Sequence, residues 1–338
     1  MPITTFLADI EDLLASGNAT EHTYRPALKT LFEAVIAGST AYNEPKRVDK
    51  YNAPDFVIQQ GTTPCGHVEA KDIGIDLGTI IIDSERDTPK TPNGKQLKRY
   101  RAALPNLLYT DGLEWHWFVE GTPCLEQPIC IATWDKQKKT LQHTTDAGAA
   151  LLRLLQRFAA HTAPLIGTPT DLARRLAQVA LWLDEVITAI LKEEEMHGTL
   201  HQQLAAFRET LLPTITHEEF ADMYAQTLVY GLFAARVTKS NTPTFTRLDA
   251  AHAIPTTNPF LRKMFQQIAA FDLDERIAWL VDDCTHLLQQ TDMSEVLRDF
   301  GKATRQEDPI VHFYETFWQR MTRKPVKCAE STTPRSQS

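Results

Sequence analysis

The spacing of apolar residues differs between the two halves of the chain. Up to about residue 145, short runs of β-branched and aromatic residues lie between Gly, Pro and Asn positions and predict strands. From Asp146 to Gln319, apolar residues recur every three or four positions and predict amphipathic helices. We therefore expect an α/β domain with a small mixed sheet flanked by helices over residues 1–145, and an all-α domain over 146–320. The prolines that interrupt the second domain predict about six to eight helices, and the Ser-, Thr- and Pro-rich tail over 321–338 should be disordered.

One helix of the first half can be predicted in more detail. Leu28, Leu31 and Phe32 are spaced as the buried stripe of a helix. Because proline is tolerated best in a first turn, Pro26 predicts that the regular part of this helix begins only near Arg25.

A β-hairpin is predicted over residues 109–118. Asp111-Gly112 is among the strongest short turn signals. Since alternate side chains of a strand share a face, Trp115 and Trp117 should lie on one side of the sheet and Phe118 on the other. We expect all three rings in the core rather than free to stack on bases.

The composition indicates the class of protein and its compartment but does not indicate a specific function. The chain has 338 residues, of which 43% are hydrophobic and 23% charged, as in ordinary globular proteins. Its formal net charge of −8 argues against a histone-like coat on nucleic acid but not against a DNA enzyme. Five cysteines without a Cys-x-x-Cys pair fit a reduced cytoplasm. No apolar run predicts a membrane span or a secretory signal, so we expect a cytoplasmic protein.

Three charged side chains are expected to converge at the end of the sheet. Glu69 and Lys71 are alternate residues of one strand, and an antiparallel neighbour would bring Asp55 beside them. Two carboxylates hold a hard cation such as Mg²⁺, which polarises a phosphate and lowers the pKa of an attacking water. The lysine orients that water or stabilises charge developing on phosphorus. The alternative is an edge hairpin with a solvated Glu–Lys pair.

Asp55, Glu69 and Lys71 resemble the PD-(D/E)xK signature of restriction endonucleases in their order, their intervening hairpin and their apolar neighbours. The resemblance implies a restriction-endonuclease-like α/β fold with Asp55 and Glu69 as metal ligands. The Ala70 carbonyl would be a further ligand and Lys71 the catalytic lysine. The resemblance also implies Mg²⁺ as the cofactor and double-stranded DNA as the substrate.

The segment that follows adds to this resemblance. Gln96 and Tyr100 are four residues apart and share a helix face, similar to the Gln-x-x-x-Tyr element of one branch of these nucleases. They would brace the catalytic site or touch the DNA backbone. Residues 86–101 contain six Lys or Arg against one acid, which favours contact with phosphates over an ordinary solvated helix face. The predicted DNA-binding residues are Lys95, Lys98, Arg99 and Arg101.

A third acidic residue is expected near the metal, because nucleases of this superfamily often carry a glutamate on the helix before the first core strand. Glu21 is the candidate third metal ligand, and Glu33 is the competing choice. An acid at a helix start is also favoured by the helix dipole alone, which leaves a purely structural role open for Glu21.

The second half resembles a further part of a larger protein class. Residues 219–236, 258–262 and 308–317 are similar to the helical connector of type IIG and type ISP restriction–modification proteins. In those proteins the nuclease and connector precede an adenine-N6 methyltransferase and a target recognition domain. Here no Asn/Asp-Pro-Pro-Tyr signature and no glycine-rich loop occur, so we expect no S-adenosylmethionine site.

The expected function is therefore the Mg²⁺-dependent endonuclease part of a restriction–modification system, truncated before its methyltransferase. Its expected partners are DNA and a methyltransferase or target recognition domain encoded downstream. The alternative is a catalytically silent connector fragment that binds a separately encoded methyltransferase or specificity subunit.

Overall fold

A mixed β-sheet forms the centre of the first half of the computed structural model. The residues that the structure describes are 2–17, 20–43, 53–61, 63–135, 137–161, 166–192, 198–240, 242, 244–253, 273–303 and 317. The strands in these ranges are β1 (Ser39–Asn43), β2 (Phe56–Gln60), β3 (Thr63–Ala70), β4 (Asn106–Thr110), β5 (Glu114–Val119), β6 (Thr122–Pro123), β7 (Ile129–Cys130), β8 (Ala132–Asp135) and β9 (Thr140–His143). The sheet has the order β1-β2-β3-β4-β5-β6 with β7 beside β5, and β8 and β9 form a separate hairpin.

Helices cover the sheet and make up the rest of the described chain. They are α1 (Pro2–Ser16), α2 (Glu21–Val35), α3 (Leu77–Ser84), α4 (Pro92–Ala103), α5 (Ala147–Ala160), α6 (Pro169–Lys192), α7 (Thr199–Thr210), α8 (His217–Thr238), α9 (Arg247–Ala253), α10 (Glu275–Gln289) and α11 (Met293–Ala303). The seven from α5 onward, counted within the described ranges, agree with the prediction of about six to eight helices in the second half. The chain thus combines a small mixed sheet with a helical region.

Strand pairing brings together the residues of greatest interest. β3 and β4 are parallel, and the chain crosses between them through α3 and α4, as parallel neighbours require. β2 and β3 are antiparallel with Phe56 opposite Val68, so one further step of this register places Asp55 opposite Glu69. Glu69 in turn lies beside Tyr109 of β4.

One face of the sheet is covered by α1, α2 and α5. The ring of Trp115 meets those of Phe6 and Phe32 edge to face, with centroids 6.5 Å and 6.1 Å away. Leu151 and Leu155 bring α5 into the same apolar core. This helix therefore packs on the sheet, although it begins just inside the segment assigned to the helical domain. The domain boundary at residue 145 stays a prediction.

The other face packs on α3 and α4 and continues into the helical half. The rings of Tyr100 and Trp182 are 5.2 Å apart, and Trp182 meets Trp279 at 4.8 Å. A single apolar core therefore extends from the sheet through α4 to α6 and α10. The position of α4 beside the sheet is stabilised by both halves of the chain.

The structure confirms the hairpin and corrects one helix start. β4 and β5 flank the predicted turn, and Trp115 and Trp117 are buried on one face while Phe118 is buried on the other. The expected start of α2 near Arg25 is wrong, because the helix begins at Glu21 and carries Pro26 inside it. Burial of the apolar stripe of α2 outweighs the single backbone hydrogen bond that this proline cannot donate.

Several predicted features fall outside the described residues. These are the tail 321–338 and the connector segments 258–262 and 308–316, while Phe317 is described and buried in the larger core. None of the helices in the described part is both long and apolar enough to cross a membrane.

Candidate active site

Two buried carboxylates meet where β2 begins and β3 ends. Asp55 is 1% exposed and Glu69 is 3% exposed, and cross-strand register puts both on the face that packs toward α4. Asp55 Oδ2 accepts the backbone N–H of Ala70 at 2.7 Å. This bond ties the start of β2 to the end of β3, and it leaves the two acids side by side as the sequence predicted.

Lys71 directly follows β3 and reaches back over the same face. Its Nζ donates to Glu69 Oε1 at 2.6 Å and to Gln96 Oε1 at 2.7 Å. Its backbone is held as well, because Lys71 N donates to Thr110 O at 2.8 Å and the Tyr24 hydroxyl donates to the Lys71 carbonyl. The ammonium of Lys71 is thus fixed between a carboxylate and an amide oxygen.

Gln96 and Tyr100 occupy one face of α4, as their spacing predicted. Gln96 Nε2 donates to the Tyr100 hydroxyl at 3.1 Å while its amide oxygen accepts from Lys71. Tyr100 is fully buried, so its side chain is not accessible to a DNA backbone at the protein surface. Of the two predicted roles, the contacts support bracing of the site for both residues.

The start of α4 is anchored by Asp83 of α3. The Asp83 carboxylate accepts the backbone N–H groups of Lys90 and Thr91 and the Thr91 hydroxyl. Thr91 then caps α4 by accepting the Gly94 N–H at 3.0 Å. A Cβ at Gly94 would overlap the Asp83 carboxylate, so a larger residue at this position would displace that carboxylate from its hydrogen bonds. This anchor places α4 so that Gln96 faces Lys71.

The first turn of α2 supplies the remaining polar groups of the site. Arg25 Nη2 donates to Asp55 Oδ1 at 2.6 Å and to Glu21 Oε1 at 3.0 Å. The backbone N–H of Glu21 donates to Asp72 Oδ1 at 2.7 Å, which ties the helix start to the end of β3. Sequence reasoning identified Glu21 but missed Tyr24 and Arg25. Their spacing of three and four from Glu21 was the available signal, because such residues share a helix face.

Glu33, the competing choice for the third acid, lies beside β1 instead. Its carboxylate accepts the Ala41 N–H at 3.1 Å and pairs with Lys29 at 2.9 Å. The hydrogen bond from Lys29 lowers the pKa of Glu33. Glu33 therefore has a structural role in the last turn of α2. Glu21 is the acid that lies near Asp55, joined to it through Arg25.

The electrostatics of the site favour binding of a further positive charge. Burial, followed by the adjacent Glu69 carboxylate, raises the pKa of Asp55 well above its ordinary value, against the opposing effect of Arg25. Burial also raises the pKa of Glu69, while Lys71 acts in the opposite direction. Burial raises the pKa of Tyr100 as well. The two buried carboxylates are therefore only partly compensated by Arg25 and Lys71.

The donor set fits a hard divalent cation. Glu69 Oε2 is buried and makes no hydrogen bond with the described residues, so one carboxylate oxygen remains available inside the site. Within the described ranges, no three His, Cys, Asp or Glu side chains are grouped closely enough to hold a metal by themselves. Mg²⁺, however, is commonly held by one or two carboxylates and completes its shell with waters and substrate phosphates. Asp55 and Glu69 are the residues that would hold it.

The predicted DNA-binding side chains differ in their surroundings. Lys95 is exposed, and Lys98 Nζ donates to the carbonyls of Arg86 and Asp87. Arg99 pairs with Glu185 of α6 at 2.6 Å. The Arg101 guanidinium lies 4.8 Å from the centre of the Phe118 ring and donates to the Gly121 carbonyl. Arg99 and Arg101 thus have structural contacts, and a DNA contact of all four residues stays a prediction.

A cavity lies at the opposite end of the parallel strands, away from this cluster. It encloses about 650 Å³, counted with its open mouth, between the start of β3 and the helices α6 and α10. His67 and Asp283 line it, and His67 Nε2 lies 3.0 Å from Asp283 Oδ2. We place the candidate active site at Asp55 rather than in this cavity, because the converging carboxylates and lysine lie there.

No family model and no curated protein matches the chain. Among solved structures, the chain is similar to a chain in a cryoEM structure of a DrdV–DNA complex, with 16% sequence identity and a TM-score of 0.33. The alignment covers 94% of this chain and 28% of that one, so the chain spans less than a third of the length of its neighbour.

Proposed function

We propose that the chain is the nuclease part of a restriction–modification system and hydrolyses DNA phosphodiester bonds with Mg²⁺. The observation that carries the proposal is the contact of Lys71 with Glu69 beside Asp55, in a site buried by α2 and α4. Lys71 is fixed 2.6 Å from a carboxylate whose second oxygen accepts no hydrogen bond from the described residues, so it is placed to act on a group held by that carboxylate.

The roles of the side chains follow from their contacts. Asp55 and Glu69 would hold the cation, which when bound polarises the scissile phosphate and acidifies a water molecule. Lys71 presents its ammonium to the same space, where it orients the nucleophile and stabilises charge on the phosphate oxygens. Gln96 holds Lys71 through its amide oxygen, and Tyr100 holds Gln96. The buried surroundings strengthen each of these interactions.

The test is nicking of supercoiled plasmid DNA by the purified full chain in Mg²⁺ or Mn²⁺. We expect Asp55→Asn and Lys71→Met each to reduce cleavage by about 100-fold or more, the typical effect of removing one group that stabilises the transition state. Excess Mn²⁺ should partly restore Asp55→Asn, which loses metal affinity, but not Lys71→Met, which loses a charge that metal cannot replace.

The matched control is Glu33→Gln, an exposed acid of α2 with structural contacts only, which should cut like the wild type. Equal cutting by wild type and Asp55→Asn would overturn the proposal, because the activity would then come from another site or a contaminant. If no form cuts DNA, the silent-connector alternative becomes the better account.

A further inference from the structure

Arg25 is a buried cation placed on one of the two carboxylates that would hold the metal. It is 3% exposed, and its Nη2 lies 2.6 Å from Asp55 Oδ1. The same nitrogen lies 3.0 Å from Glu21 Oε1, so one guanidinium edge joins two acids. Asp55 Oδ2 is already engaged by the Ala70 N–H. Both Asp55 oxygens thus already accept a hydrogen bond, and a divalent cation bound through Oδ1 would have to share that oxygen with Arg25.

The five described groups that these ion pairs join do not have balanced formal charges. Asp55, Glu69 and Glu21 contribute three formal negative charges, and Arg25 and Lys71 contribute two positive ones, which leaves −1. A divalent cation would change the sum to +1, and one DNA phosphate would return it to zero. The site thus suits metal and phosphate together better than metal alone.

From these contacts, and resting on the nuclease function proposed above, we propose that Arg25 is a positioning residue that occupies Asp55 in place of the divalent cation and moves onto Glu21 when the cation binds. Glu21 is then the acceptor that retains Arg25 rather than a third metal ligand. Arg25 keeps Asp55 compensated in the metal-free site, at the cost of competing with metal. A buried carboxylate without a partner strongly destabilises the fold, which explains why Asp55 needs Arg25 when no metal is bound.

Metal binding tests this role directly. If Arg25 competes with the metal, its removal should raise metal affinity. If Arg25 only supports the site structurally, its removal should leave metal affinity unchanged or lower it. The affinities of the full chain for Mn²⁺ and Ca²⁺ are measured by calorimetry, without DNA, for the wild type, Arg25→Gln and Arg25→Met. We expect both variants to bind metal about 10-fold more tightly than the wild type, the usual size of a coupling between two sites. Their melting temperatures without metal should be lower, and the rise on adding Mn²⁺ should be larger.

One control variant and the choice of Arg25→Gln keep the result interpretable. Lys29→Met removes a half-buried cation one turn along α2, where it pairs with Glu33 and donates to the Ala41 carbonyl, and should change neither metal affinity nor the metal-induced rise. Arg25→Gln retains a hydrogen-bond donor near Asp55, so it remains informative if Arg25→Met does not fold.

The outcomes separate this inference from the proposed function. Metal affinity equal to or lower than that of the wild type in Arg25→Gln would overturn the surrogate role alone, provided that the wild type binds metal and cuts DNA. Absence of metal binding in every form would overturn the proposed function and the inference together.

Discussion

Gln96 accepts a hydrogen bond from Lys71 at 2.7 Å and donates one to the Tyr100 hydroxyl at 3.1 Å. Tyr100 is itself packed 5.2 Å from Trp182 of α6. A continuous series of contacts therefore runs from the lysine at the sheet edge, through α4, into the helical half. The helical region supports the position of the lysine although it supplies no charged group that contacts Lys71 among the described residues.

Replacement of Gln96 by leucine should lower cleavage and leave the fold intact. Gln96 is partly buried, and the change removes its bonds to both Lys71 and Tyr100. A hydrogen bond to a charged group contributes about 1.5–3 kcal/mol, so we expect a rate reduced by about 10- to 100-fold. Plasmid nicking and urea unfolding are measured together, with Gln60→Leu on the exposed end of β2 as the control. Unchanged cleavage in Gln96→Leu would show that Lys71 is held well enough by Glu69.

Stability that depends on Asp83 should disappear in acid. Hydrogen bonds from the Thr91 and Lys90 backbones lower the pKa of Asp83 to about 2, against an unfolded value of about 3.9. Because the folded pKa is depressed, the carboxylate stabilises the fold fully above the unfolded pKa and loses this effect as pH falls toward about 2. Asp83→Asn should therefore be less stable than the wild type at neutral pH, with a difference that shrinks below about pH 4.

Urea unfolding followed from neutral to acidic pH measures this difference. Asp76→Asn serves as a comparison, because Asp76 caps α3 at an exposed position. If the free energies of unfolding of wild type and Asp83→Asn differ as much in acid as at neutral pH, the effect comes from hydrogen-bond geometry and not from the charge.

Weak DNA binding should depend on Lys95 more than on Arg99. Lys95 is exposed, whereas Arg99 pairs with Glu185 and lies 6.0 Å from the centre of the Trp182 ring. Lys95→Ala should weaken binding without regard to sequence and reduce the slope of log affinity against log salt by about 0.9. Arg99→Ala should chiefly lower stability. Fluorescence anisotropy with a labelled duplex at several salt concentrations tests this, and an unchanged slope in Lys95→Ala would contradict it.

The sequence by itself determined the features that depend on local periodicity. The two-residue period of strands was sufficient to place Trp115 and Trp117 opposite Phe118, and the turn preference of Asp111-Gly112 identified the hairpin. The period of a helix likewise put Gln96 and Tyr100 on one face. Each of these relationships spans ten residues or fewer, a distance over which backbone geometry alone fixes direction.

The tertiary structure decided which distant groups meet. Arg25 pairs with an acid 30 residues away, and Arg99 pairs with one 86 residues away. No local pattern distinguishes such a buried or bridging arginine from a solvated one. The packing of α5 on the sheet was also hidden, because an amphipathic stripe shows that a helix has a buried face but not which surface covers it. These pairings depend on how the whole chain closes around its two cores, where burial of apolar area selects the partners.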